Sequence, residues 1–405
     1  MLKQIKILCV PANEGGCAYY RVILPYQKLA ELHPDKVQIK FNFNPLGMDK
    51  DKGTWEKDWD FEDMKWADII VANNICNFGG QYTARICGKA KEFGKFFHYD
   101  TDDLLTELYD GHRLKKVYEE RGLSEITKFI YNNSDLVTVT QRKFAERISP
   151  FCGGVLAVVK NAIDYNLPCW KLPKTPVPKM GKRRIIRVGW AGGIHHEEDV
   201  KEFAGIPHYV NQRVGKENVR WDFYGRPPID KGADDDWQLN VWDNYQNILL
   251  RGFKGARNWN IHPALPADKY GAMYANMDIA IAPLQMNAFN DSKSEIKVAE
   301  CGRYKVPLIA SNVGCYDETI KNGKTGYLID PDSPRSAWVK TLTKVIKDHI
   351  HRELLGETLH EVTEQLFDLN KMVTNRLVLY NECFEMLSKK KSDRINFDVN
   401  WRYED

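Results

Sequence analysis

The amino-acid sequence predicts an α/β protein of two Rossmann-like, doubly wound domains that face each other across a cleft. Three observations lead there. Short apolar runs of strand character alternate with helical patterns nearly from end to end, which implies parallel strands joined by crossover helices. The alternation breaks once, in a Pro- and Lys-rich stretch from Tyr165 to Met180 that has no hydrophobic period, and restarts at 185. A chain of 405 residues has room for two domains of ordinary size.

In the first half the strand candidates are IKILCV (5–10), VQIKFNF (37–43), DIIVAN (68–73), KFFHY (95–99), LVTVT (136–140) and VLAVV (155–159). In the second half they are IIRVGWAGG (185–193), RWDFYG (220–225), NILLRGF (247–253), DIAIAP (278–283), VPLIA (306–310) and GYLID (326–330). The division is a first domain at 1–164, a linker at 165–184, a second domain at 185–365 and a terminal helix with tail at 366–405. The acidic, Trp-rich tract at 231–247 reads as an insertion or lid on the second domain.

An apolar fraction of 43% with 12% aromatic residues suits a packed globular chain. No apolar run reaches about 18 residues, so no integral membrane association is expected. The N-terminus MLKQIKILCV is a short strand without a cleavage site behind it, unlike a signal peptide. Nine cysteines without metal-site spacing read as reduced thiols, which implies a cytoplasmic location. The net charge of +3 does not demand a polyanionic partner. Locally, however, Lys171 to Arg187 carries seven cations, among them Lys182, Arg183 and Arg184, and no acid. Such a run is either a solvated linker or a surface for a phosphate backbone or anionic membrane.

Four segments carry candidate chemistry. Gly15 and Gly16 follow the first strand and open a helix, where backbone N–H groups can meet a phosphate or sugar. Tyr20 and Arg21 come next, a pair suited either to stacking and phosphate gripping or to ordinary packing. Asp100, Asp102 and Asp103 lie just past a strand's carboxyl end, the usual site position. Three carboxylates so close need a compensating partner, and their readings are acceptor contact, general base, metal ligand or helix cap. Gly192 and Gly193 form the equivalent loop of the second domain, followed by His195 and His196. In the fourth segment, Lys293, Lys297 and Glu300 recur at spacings of three and four on one helix.

That fourth segment, SKSEIKVAECGRYKVPLIASNVGCYDETIKNGKTGYLIDP (292–331), resembles the nucleotide-sugar half of the retaining, family-4-like glycosyltransferases of the GT-B fold. The glycine loop followed by YYR resembles members met in phage genomes. The resemblance implies a nucleotide diphosphate sugar as co-substrate, retention at the transferred carbon, no metal requirement, and a last helix that crosses back to the first domain. It gives Glu300 the donor ribose, and Gly192, Gly193, His195, Lys293 and Lys297 the leaving diphosphate. The family's E-x7-E pattern departs here, because its first position is Ser292.

The sequence therefore points to a glycosyltransferase. Asp100, Asp102, Asp103 and Lys297 are the catalytic candidates, and Gly15, Gly16, Gly192, Gly193, His195, Lys293 and Glu300 the donor-binding ones. Tyr20, Arg21, Lys182, Arg183 and Arg184 are candidates for the acceptor. That acceptor is read as a hydroxymethylated pyrimidine of double-stranded DNA, in a host cytoplasm if the chain is phage-encoded. A cell-envelope saccharide acceptor and a non-catalytic nucleotide-sugar-binding protein remain as alternatives.

Overall fold

Six parallel strands form the first sheet: β1 (Ile5–Val10), β2 (Val37–Phe41), β3 (Ile69–Asn73), β4 (Phe96–Asp100), β5 (Leu136–Val139) and β6 (Val155–Val158). Their order is β2-β1-β3-β4-β5-β6 in this computed structural model, which describes residues 4–49, 54–56, 59–73, 81–176, 179–180, 183–227, 236–253 and 258–389. The second sheet holds β7 (Ile186–Ala191), β8 (Val219–Arg226), β9 (Trp259–Pro263), β10 (Ile279–Ala282), β11 (Leu308–Ser311) and β12 (Gly326–Ile329). It is ordered β9-β8-β7-β10-β11-β12 and is again parallel throughout.

The central strands read as continuous apolar runs because helices cover both faces. All residues of β3, β4, β5, β10 and β11 are buried. In each sheet the strand order reverses once, between β1 and β3 and between β7 and β10. A crevice opens outside the carboxyl ends at such a point. The helix Leu369–Lys389 returns to the first domain. Its Val373, Tyr380 and Cys383 are buried with Ile7, Val22 and Leu29. The crossing is stitched at Ile163, whose N–H donates to Phe367 O (2.9 Å) and whose carbonyl accepts from Leu369 N (3.0 Å).

One expected strand is a helix. NILLRGF (247–253) is the end of the helix Asp236–Leu249 and the turn after it. Val241, Trp242, Tyr245 and Leu249 recur at helical spacing and are buried in the second core, which outweighs the strand character of the short apolar run. The tract 231–247 is therefore no lid over its described part. The strand at this place is β9, a half-exposed edge strand with weak apolar patterning.

The basic segment lies at the wrong end for the cleft. Arg184 and Arg187 sit at the amino end of β7, whose carboxyl end, Ala191, reaches the pocket. At about 3.3 Å per residue the strand separates the two by roughly 15 Å. Arg187 is 1% exposed and spent on Asp278, with Nε–Oδ2 and Nη2–Oδ1 both at 3.0 Å. Arg184 pairs with Glu353 at 3.3 Å. Arg183 belongs to a short antiparallel ribbon with Met180 beside Arg184, and Lys182 lies outside the described residues. For Arg183 and Arg184, acceptor binding in the cleft is thus corrected by the topology.

Candidate functional site

The helix Ile296–Arg303 builds the site's floor. Val298, Ala299, Cys301 and Gly302 face inward, and the helix lies so close to His349–Leu366 that a Cβ on Gly302 would meet Thr363 Oγ1 at 2.0 Å. This packing turns Lys297 and Glu300 toward the cleft. There they line a cavity of about 300 Å³ at the carboxyl ends of both sheets. The first domain contributes Gly16, Cys17, Tyr20, Asp102 and Asn161, and the second Gly192, Gly193, His196, Tyr224, Tyr270, Tyr274 and Ser294. A Cβ on Gly225, which has φ +127°, would meet Gly192 O at 2.0 Å, so the β7 loop crosses the end of β8 because position 225 is glycine; a Cβ on Gly192 would meet the Trp190 ring at 2.3 Å.

Glu300 is 4% exposed. Its Oε1 accepts from Tyr20 Oη at 2.9 Å and its Oε2 from Tyr274 Oη at 2.5 Å. Burial raises its carboxyl above the ordinary glutamate range, while Lys297 and the two phenols pull the other way. Lys297 Nζ donates to Ala191 O at 2.7 Å, which hangs the ammonium across the mouth of β7. Burial lowers it below the ordinary lysine value, with Glu300 opposing. A carboxylate and an ammonium one helical turn apart, in a cleft open to one small molecule, suit a vicinal diol and a polyanionic group respectively.

His196 Nδ1 lies 2.7 Å from Asp199 Oδ2. Asp199 also accepts from Gln285 N (2.9 Å) and Asn290 Nδ2 (2.7 Å). Burial, then the Lys293 ammonium, push His196 down to about 4, against the pull of Asp199. A neutral imidazole that donates through Nδ1 keeps Nε2 as an acceptor. His196 therefore offers a lone pair at neutral pH, where the sequence suggested a donor to a diphosphate.

Several expected residues are not at the cavity. Arg21 and Asp100 are solvent-excluded and hold each other, with Arg21 Nε to Asp100 Oδ1 at 2.6 Å and Nη2 to Oδ2 at 3.0 Å. Arg21 also donates to Val159 O (2.5 Å) and Asn161 Oδ1 (3.0 Å), and Asp100 accepts from Thr138 Oγ1 (2.6 Å) and Arg376 Nη1 (3.3 Å). Neither can meet a substrate, so both are structural. Tyr20 does line the cavity, but it is 5% exposed with its hydroxyl on Glu300, so it is not the open stacking surface expected for an acceptor. Gly15 gives its N–H to Asn13 Oδ1 (2.7 Å). His195 stacks on His112, centroids 5.7 Å apart at 9°, outside the lining. Lys293 sits over the Phe289 ring at 4.8 Å.

The loop of Gly192 and Gly193 does not lead to an anion-attracting helix end. The helix Glu197–Glu202 has six residues and three acids in its first turn. Positive charge at the cavity comes from Lys297 instead. Ser292, at the first E-x7-E position, is fully buried and donates to Ala288 O at 2.9 Å, so it faces away. Glu295 is held by Lys160 Nζ (2.6 Å) and Thr319 Oγ1 (2.8 Å). Among the described residues, ligating atoms of Cys17, Asp102 and Asp103 lie within 4.8 Å of one another.

Sequence reasoning missed Tyr274, Tyr270, Asn161 and Ser294. The spacing of four between Tyr270 and Tyr274, just ahead of a buried strand, was the signal for the first two. A larger groove of about 920 Å³ lies on the first domain beside Phe61, Ile126 and Phe129. Its Lys89 and Glu125 are already paired, with Glu92 and Lys128, and it gathers no convergent polar set.

Comparison with known proteins bears on the fold and on one segment of the chain. Residues 252–361 match the family described as glycosyl transferases group 1, and these residues include Lys297 and Glu300. The capsular polysaccharide biosynthesis glycosyltransferase CapM of Staphylococcus aureus is 21% identical over 239 residues, which are 55% of this chain and 60% of that protein. The chain thus matches less than two thirds of that relative's length. Among solved structures, sucrose-phosphate synthase from Thermosynechococcus elongatus superposes with a TM-score of 0.64 at 12% identity, covering 95% of this chain and 100% of the other. Anabaena HepE in complex with UDP and glucose gives 0.58 at 14%, covering 96% and 100%. The two-domain GT-B architecture is therefore shared, and the match to the group 1 glycosyl transferases is confined to residues 252–361. No helix among the described residues is long and apolar enough to cross a membrane.

Proposed function

We propose that this protein is a glycosyltransferase that moves a sugar from a nucleoside diphosphate sugar to an acceptor hydroxyl with retention of configuration. The observation that carries the reading is the pair Lys297 and Glu300, set side by side in the cleft within the segment that matches the group 1 glycosyl transferases. Glu300 accepts from the ribose diol. Lys297 meets the diphosphate and offsets the charge that grows on it as the glycosidic bond breaks. His196 Nε2 and Ser294, with Asn161 and Tyr270 beside them, are the polar groups offered to the sugar's hydroxyls, since Ser292 is turned away. Asp102, from the opposite domain, is placed to accept from the acceptor hydroxyl. Closure of the two domains keeps water, a competing acceptor, from the reacting carbon. No metal is needed in this scheme.

The Anabaena neighbour was solved with UDP and with UDP-glucose, which makes a uridine diphosphate sugar the first donor to try. For the acceptor, the geometry favours a saccharide hydroxyl over a hydroxymethylated DNA base. Of the basic residues that suggested DNA, Arg184 and Arg187 lie at the amino end of β7 and are held in ion pairs. The test is incubation with a panel of nucleoside diphosphate sugars and saccharide or hydroxymethylated DNA acceptors, read by mass spectrometry and by NMR of the anomeric proton. Donor consumption with a saccharide product of retained configuration is expected. Nucleotide binding without turnover on any acceptor would leave a non-catalytic binding protein instead.

A further inference from the structure

We propose that Tyr20 is a positioning residue of the nucleotide site: from the opposite domain its hydroxyl orients the Glu300 carboxylate, and so makes nucleotide binding depend on the two domains being closed. This rests on the reading of Glu300 as the ribose acceptor.

Tyr20 lies in Tyr19–Ile23, a turn of π-helix between Gly16–Ala18 and Leu24–Leu32. Such widened turns shift a side chain off the regular helical spacing and recur at functional sites. The next residue welds the turn in place, since Arg21 is held by Asp100, Val159 O and Asn161. Asn161 in turn donates to Ser294 Oγ at 3.0 Å, beside the cavity. Tyr20 is thus fixed from behind, and its hydroxyl reaches Glu300 Oε1 at 2.9 Å. Tyr274 stands on the other oxygen at 2.5 Å but belongs to Glu300's own domain. Of these two phenols, Tyr20 alone spans the cleft.

A carboxylate oxygen accepts two hydrogen bonds. One phenol on each oxygen leaves one acceptor direction on each, which is what a ribose diol requires. The two phenols therefore select a single rotation of the carboxylate. The titratable groups facing Glu300 are Lys297 and Cys301 on its own helix, Tyr20 and Tyr316, and Tyr270 and Tyr274 beside the cavity. Lys297 is the basic group among them, lowered by burial with Glu300 opposing. Burial, the larger effect, raises the Glu300 carboxyl, and Lys297 and the two phenols oppose it. Removing the Tyr20 hydroxyl lifts the pH at which Glu300 takes up a proton, and a protonated Glu300 has lost part of its acceptor capacity.

The test titrates UDP, GDP and ADP by calorimetry into the wild-type protein, Tyr20→Phe and Tyr274→Phe between pH 5 and 8, with thermal midpoints measured alongside. Tyr20→Phe is expected to bind the preferred nucleotide about tenfold more weakly at pH 7. The acid limb of its binding curve should also move to higher pH, and its unliganded form should be more extended by small-angle scattering. Other groups at the cavity, His196 included, titrate alike in both proteins and cancel in the comparison. Wild-type binding with Tyr20→Phe within twofold and an unmoved acid limb would overturn the inference alone. A lower melting temperature with unchanged affinity would make Tyr20 merely structural and overturn it too. No nucleoside diphosphate binding by the wild-type protein would remove the reading of Glu300, and this inference with it.

Discussion

Replacing Asp100 by Asn separates a structural carboxylate from a catalytic one. Asp100 is solvent-excluded and holds two guanidinium groups, Arg21 at 2.6 and 3.0 Å and Arg376 at 3.3 Å, besides the Thr138 hydroxyl at 2.6 Å. Asn has nearly the same shape, but it has no charge and turns one acceptor oxygen into a donor facing a guanidinium. Two buried cations then lose their counter-charge. Breaking a buried pair from one side costs about 3–5 kcal/mol, and two orphaned cations place this case at the upper end. Against a typical total of about 5–15 kcal/mol, much of the protein's stability is at stake. Arg376 lies on the crossing-back helix, so the loss also loosens that helix from the first domain.

Burial works against the Asp100 charge, but Arg21 and Arg376 outweigh it and hold the carboxyl below the usual aspartate range. A group whose folded pKa is depressed stabilises the protein above its unfolded value and loses that contribution as pH falls through the folded value. The wild-type advantage over Asp100→Asn should thus be constant from pH 5 to 8. It should shrink only below about 4, the unfolded aspartate value. Chemical denaturation at several pH values measures it. If the variant yields too little folded protein, Thr138→Val removes a single donor, should cost about 1–2 kcal/mol, and should leave turnover intact. Stability within about 1 kcal/mol of wild type, together with a collapse of turnover, would refute this account and restore Asp100 to the chemistry.

Glu300→Gln should weaken binding of the free nucleoside diphosphate by about 10- to 100-fold, the equivalent of roughly 1.5–3 kcal/mol; the melting temperature should also fall, because the buried amide puts a donor against one phenol and leaves Lys297 without its carboxylate, so calorimetry is run where the variant is folded. Lys297→Ala should lower turnover at saturating donor by about 10²-fold while nucleoside binding is kept, and unaffected turnover would leave it a bystander. Chelator should not reduce activity. A loss restored by manganese or magnesium would mean that Cys17, Asp102 and Asp103 hold a cation. Hydroxymethylated DNA should be neither bound with a steep salt slope nor modified at low salt, and Arg184→Ala should not alter nucleotide binding.

Much of the fold was legible because the buried parallel strands carry unbroken apolar runs that mark themselves. The exception, NILLRGF, shows the limit. A short apolar run fits a strand or the end of a helix equally, and Trp242 and Tyr245 upstream decided the matter by packing. At the site, Lys297 and Glu300 were legible because one helix fixes their spacing. The Asp cluster was not. Asp100 and Asp102 are two positions apart, yet one faces the Arg21 guanidinium in the interior and the other faces the cavity. That difference is set by the turn after β4 and by an arginine from the distant terminal helix, neither of which local sequence records. Tyr20 and Arg21 carried the same ambiguity, and the π-turn sends them to opposite fates.

The same contacts bear on how the cleft opens. Around the start of the helix Ile296–Arg303 the domains meet through polar pairs. Lys160 reaches Glu295 and Glu318, both at 2.6 Å, Lys143 reaches Asp291 at 2.9 Å, and Gln141 Nε2 reaches Asp291 O at 2.7 Å. Lys143 is 46% exposed and Glu318 43%, so these pairs exchange readily for water and contribute about 0–1 kcal/mol each. Glu295 differs, because at 3% exposure it cannot lose Lys160 cheaply unless water enters as the domains part. Burial already raises its carboxyl, with Lys160 opposing. Opening therefore costs little along the rim and most at Glu295 and at the Tyr20–Glu300 bond. Both costs fall within the stretch from Glu295 to Glu300, so a nucleotide that hydrogen-bonds Glu300 as proposed acts where the resistance to domain motion is concentrated.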